Sequence, residues 1–137
     1  MFPRVDGLRT IEFGHEGESR SRLVNFVLHG NKRATAGLLS DYEEEGEPVE
    51  HPGELLAMID NDGRHVGTLR VTRVEILPFV DVPDEFALAE AEGDQNAADF
   101  RKSHREFWGA EGLVIEDHTP IVTLYFDLLP EIHRSAE

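Results

Sequence analysis

An amine and an alcohol stand close together at Lys32 and Thr35, and their types are what first suggests chemistry in this sequence. A threonine hydroxyl is a poor nucleophile until a base takes its proton, and a lysine serves as that base only when its amine is partly neutral. Burial, or a neighbouring cation such as Arg33, favours the neutral form. A carboxylate across the pocket, for which Glu92 is the candidate, would carry a proton to a leaving amine. Positioned acid and base groups of this kind contribute about 10² to 10⁴ in rate. Lys32, Thr35 and Glu92 therefore form a coherent set for cleaving an amide. They also have plain structural uses: a lysine just past a helix end complements the helix dipole, threonine is an ordinary strand residue, and Glu92 can bind backbone amides or Arg101. Spacing leaves both readings open, because an extended chain puts Lys32 and Thr35 on opposite faces whereas a turn over residues 31–33 brings them together.

A pocket that reads a nucleobase needs an aromatic plate and polar edges. Tyr42, Phe107 and Trp108 are candidates for stacking, although each of them is better suited to a core. Asp94, Arg101 and His104 can hydrogen-bond a base or a phosphate, and the last two lie one helical turn apart. Other chemistries lack their residues. Gly30 to Thr35 is no phosphate-cradling loop, which needs Gly-Lys-Ser/Thr in succession, and the seven histidines include no H-E-x-x-H pairing. No Gly-x-Ser-x-Gly elbow occurs. No metal and no cofactor are expected.

Positioning falls to the elements around these residues. Leu23 with Val27 and Val24 with Leu28 stack four apart, predicting a helix that starts near Ser19 or Ser21 and is ended by Gly30. Ala34 to Leu39 reads as a strand bending at Gly37, followed by helical spacing over Leu38 to Tyr42. The acidic run Glu43 to Glu47 is expected to be a solvated loop. Glu54 to Asp60 and the stretch from His65 to Pro78 read as a hairpin turned by Asn61, Asp62, Gly63 and Arg64. Within its second strand the apolar positions change parity, Leu69 and Val71 being odd and Val74 and Ile76 even, which predicts a bulge near Arg73. A short helix leads to Glu92, and a second clear helix spans Asn96 to Trp108 and breaks at Gly109. Ile121 to Leu129 is apolar enough for a strand buried on both faces. The tail from Pro130 is expected to fray.

At 137 residues the chain is expected to be one domain over 1–137, with its core about 12–129. It has no cysteine, hence no disulfide frame and no thiolate site. Without an apolar leader or a membrane-length apolar stretch, a cytoplasmic location is expected. The net charge of −15 disfavours generic binding to RNA, a polyanion. That charge is uneven: residues 1–33 carry six basic and four acidic side chains, leaving −17 on the remainder. Any anion-binding face should therefore involve Arg20, Arg22, Lys32 and Arg33.

The run Gly30-x-Lys32-x-x-Thr35, with Gly37-Leu38-Leu39 and Tyr42-Glu43 after it, resembles the G-x-K-x-x-T signature of ASCH domains. Glu90-Ala91-Glu92-Gly93-Asp94 and Phe100-Arg101-x-x-His104-x-x-Phe107 resemble the E-G-D and W-R-x-x-H-x-x-F patterns of one ASCH subgroup, with Phe100 where tryptophan is usual. The resemblance spans about Glu12 to Leu129. It implies an α+β, PUA-like mixed β-barrel of five or six strands with about three flanking helices. Some ASCH proteins are amidohydrolases that remove the acetyl group of N4-acetylcytidine with a Lys/Thr/Glu set, which would fall on Lys32, Thr35 and Glu92. Arg33, Tyr42, Asp94, Arg101, His104 and Trp108 would then bind the ligand, a modified nucleoside or RNA. Two alternatives follow from the same resemblance: a non-catalytic RNA-binding module, and a ribonuclease using Lys32 and Tyr42. No membrane or metal partner is implied, and a monomer or homodimer is expected.

Overall fold

A computed structural model describes residues 2–130. Two short strands open the chain, β1 (Arg4–Val5) and β2 (Leu8–Ile11), followed by helix α1 (Glu18–Leu28), strand β3 (Ala34–Leu38) and helix α2 (Leu39–Glu45). Strands β4 (Leu55–Ile59) and β5 (His65–Pro78) form the hairpin, and helices α3 (Asp84–Glu90) and α4 (Ala97–Ala110) precede the last strand, β6 (Pro120–Leu128). The six strands make one sheet in the order β1-β2-β4-β5-β6-β3. The β2–β4 pair is parallel and every other pair is antiparallel. The fold is α+β with a mixed sheet, as expected, but the sheet stays open: β1 and β3 lie at its edges, and the ladder does not close into a barrel.

Alternation along β6 builds two cores. Val122, Leu124 and Phe126 join Leu23, Val24 and Val27 of α1, Leu56 and Met58 of β4, and Leu69 and Val71 of β5. Ile121 and Tyr125 turn the other way, against Phe79, Phe86, Phe100 and Trp108. The bulge occurs where the parity predicts it: Val71 pairs with Phe126 and Arg73 with Tyr125, so Thr72 is extra. Through that slip Val74, an even position, packs on the same cluster as Leu69 and Val71.

Two further expectations need correction. The first three residues of the acidic run are helical rather than loop, since α2 continues to Glu45 with Tyr42 buried in it; Gly46 ends the helix, and Glu47 beyond it accepts from Arg4 Nη1 at 2.9 Å and from the Phe2 N–H at 2.9 Å. Helix α4 runs through Gly109 to Ala110, held at its start by the Asn96 side chain, which accepts from the Asp99 N–H. Among the described residues no helix is long and apolar enough to cross a membrane. The tail expected to fray, beyond Pro130, lies outside the described residues.

Candidate active site

Lys32 reaches its place because α1 stops abruptly. Gly30 adopts φ 80°, a conformation costly for a side chain with a Cβ, and the Phe26 carbonyl accepts from both the Asn31 and Lys32 N–H groups at 2.9 and 3.1 Å. The lysine side chain then turns inward with no exposed surface. Its Nζ donates to Glu92 Oε2 at 2.6 Å, to the Ala34 carbonyl at 2.8 Å and to the Glu90 carbonyl at 3.2 Å. All three ammonium protons are thus engaged, and the Phe13 ring lies 5.5 Å away.

The acid arrives from the far end of the chain. Helix α3 ends at Glu90, and Ala91 takes a left-handed conformation, φ 53° and ψ 38°, that aims the Glu90 carbonyl and the Glu92 carboxylate at one amine. The Arg33 N–H donates to the Ala89 carbonyl at 2.8 Å, which fixes the helix end beside β3. Lys32 and Glu92, sixty residues apart, therefore meet.

Thr35 pairs with Leu124 on β3 and faces a cavity of about 260 Å³ that it shares with Thr10, Glu12, Asp41, Tyr42 and Glu50. Its hydroxyl makes no hydrogen bond among the described residues. It is one peptide bond from the carbonyl that Lys32 holds, but neither Lys32 nor Glu92 lines the cavity. A larger hollow of about 460 Å³ near Arg4, Arg9, His51 and Glu54 contains none of the three.

The cavity is acidic. Tyr42 is buried, meets Phe2 edge-on, and donates its hydroxyl to Glu50 Oε1 at 2.7 Å. Burial and the Glu50 charge push the Tyr42 hydroxyl pKa up, which makes it a poor proton donor. Burial likewise raises Glu50 and, with the charge of Glu44, raises Asp41.

The remaining predicted ligand residues separate. Trp108 is buried in the core beside Phe79, so it offers no free face for stacking. Phe107 is partly exposed and stacks on His15 with centroids 5.0 Å apart. Arg101 donates to the Val80 carbonyl at 3.3 Å and does not act with His104. His104 is buried, stacks on Phe100, and places Nε2 3.3 Å from Glu90 Oε1. Burial alone would lower its pKa, yet the contact and charge of Glu90, with Glu92 beyond, set the net direction upward. Asp94 accepts from the Ser103 hydroxyl at 2.9 Å. Glu90, only 1% exposed, was not anticipated: nothing in its spacing sets it apart from the other acids of an acidic chain.

Most basic side chains are already matched by acids or carbonyls. Arg20 donates to the Phe13 and Gly14 carbonyls and pairs with Glu12, Arg9 pairs with Glu54, Arg73 with Glu85, and Arg105 with Asp117. Arg22 lies over the Phe26 ring and Arg33 is exposed. Of the anion-binding face expected at Arg20, Arg22, Lys32 and Arg33, two members are therefore committed to internal contacts.

Known proteins share this fold. In solved structures, the ASCH domain from Lactobacillus crispatus JV V101 superposes with a TM-score of 0.75 at 24% identity, covering 88% of this chain and 80% of that one. Protein EF3133 from Enterococcus faecalis V583 gives a TM-score of 0.74 at 26% identity, covering 86% and 74%. Hypothetical protein PH0355 shares the fold at a TM-score of 0.56 and 15% identity, over 79% and 92%. No curated protein matches the sequence. The profile of the ASCH domain matches residues 9–130, nearly the whole chain, and the protein belongs to the ASCH domain family.

Proposed function

We propose that this ASCH protein is a small amidohydrolase that acts on an acylated nucleobase, with N4-acetylcytidine as the type substrate. The observation that carries this reading is the buried contact of 2.6 Å between Lys32 and Glu92, beside the strand that exposes the Thr35 hydroxyl to a cavity. In the proposed sequence the ammonium proton of Lys32 passes to Glu92, leaving a neutral amine and a carboxylic acid. The amine takes the proton of Thr35 Oγ1 as that oxygen attacks the acyl carbon. The carbon–nitrogen bond breaks, Glu92 returns its proton to the departing amine, and water then hydrolyses the threonyl ester. Free enzymes often hold such groups further apart than the reacting complex does, so the separation of Thr35 from Lys32 is compatible with this order.

The acidic cavity wall favours an uncharged base or nucleoside over a nucleotide, because a phosphate there would meet Glu12, Asp41 and Glu50. Release of acetate from N4-acetylcytidine and from a panel of other acylated nucleosides tests the proposal. Lys32→Ala, Thr35→Ala and Glu92→Gln should each lower kcat/KM by about 10² or more. A folded wild-type protein that leaves the whole panel intact overturns it.

A further inference from the structure

Outside the Lys32 contact, Glu90, Asp94 and His104 bring one potential ligand atom each within 4.8 Å of one another. The end of α3, the turn after it and the middle of α4 supply these residues, so the cluster joins three segments that the left-handed Ala91 and Gly93 fold together. Glu90 is 1% exposed, and its Oε1 makes no aligned hydrogen bond among the described residues, its neighbour being His104 Nε2 at 3.3 Å. A buried carboxylate oxygen left in that state is costly.

The contacts around the cluster are those that metal ligands make. His104 Nδ1 lies 3.0 Å from the Phe100 carbonyl, to which it donates, and Nε2 is the ring nitrogen that faces Glu90. Both oxygens of Asp94 accept from the Ser103 hydroxyl, at 3.0 and 2.9 Å. The separation of Nε2 from Glu90 Oε1 is 3.3 Å without hydrogen-bond alignment. Two ligands bound tetrahedrally at about 2.0 to 2.2 Å stand about 3.4 Å apart. A proton would have to bridge this gap out of line, whereas a cation placed off the direct line fits it.

We propose that Glu90, Asp94 and His104 form a binding site for one divalent transition-metal ion of the Zn²⁺ or Mn²⁺ kind, with open coordination positions for water or a ligand. One imidazole and two carboxylates suit such borderline ions, and the two negative charges match the ion's charge. The side chain of Asp94, in the turn after α3, moves inward to complete the set. Spacing gave no warning of the site, since its ligands follow no metal-binding motif. The proposal does not depend on the hydrolase reading.

Calorimetric titration of chelator-treated full-length protein with Zn²⁺, and separately with Mn²⁺, tests it. The expected result is one saturable site per chain, a rise in Tm of roughly 5 to 10 °C at a hundredfold excess over Kd, and affinity lowered at least tenfold in Glu90→Gln and in Asp94→Asn. Asp94→Asn, nearest the surface, keeps the test decisive if a change at Glu90 or His104 prevents folding. Lys32→Ala should retain binding while losing hydrolysis, which separates the two proposals. Absence of saturable binding by wild type, or equal binding by wild type, Glu90→Gln and Asp94→Asn, would overturn the site.

Discussion

At the scale of single residues, the buried ammonium of Lys32 decides most. Removing it leaves the Glu92 carboxylate and two carbonyls without their donor, so Lys32→Ala should destabilise the protein by about 3 kcal/mol, measured by urea denaturation. An unchanged midpoint would mean that the three contacts are absent in solution. Glu50 makes a second prediction. Its pKa is raised, mainly by burial, so the folded state holds its proton more tightly than the unfolded chain does. Its contribution to stability is fully present below the ordinary glutamate pKa and is lost as pH rises through the folded value. Stability of Glu50→Gln relative to wild type should therefore increase from pH 4 to pH 7, and a flat or falling difference would count against a raised pKa. Lys32 could be picked out from its type and its place after Gly30. Its pairing with Glu92 could not, because contacts across sixty residues leave no periodic trace; the family resemblance supplied that link.

At the scale of elements, local patterns were legible where one rule dominated. Four-residue stacking located α1, and the change of parity between Val71 and Val74 located the bulge. The two-residue β1 and the parallel pairing of β2 with β4 escaped notice, since so short a strand has no alternation to read and pairing partners are set by tertiary packing. The acidic stretch in α2 was misread for a related reason. Repulsion between neighbouring carboxylates is weak in water, and the buried Tyr42 commits the turn to a helix. Helix α4 supports a test at this scale: Asn96→Ala removes the cap on the Asp99 N–H and should cost about 1 kcal/mol in thermal or urea unfolding. A cost near zero would show that the end of the helix is satisfied by other means.

For the whole molecule, the charge of −15 sets the response to salt. Self-repulsion opposes the compact state and is screened within about 10 Å at 0.1 M ionic strength, so raising salt from 0.02 to 0.3 M should raise Tm. With Arg9, Arg20, Arg73 and Arg105 occupied by acids, unmodified RNA should bind no tighter than about 10⁻⁴ M at physiological salt, as read by fluorescence anisotropy. The backbone turn at Ala91 has a further consequence. One peptide segment carries the carbonyl that grips Lys32 and the side chain that faces His104, so it acts as a yoke between the first third of the chain and the last. The same short segment thus tethers two distant stretches of sequence through different atoms, its main chain to one and a carboxylate to the other.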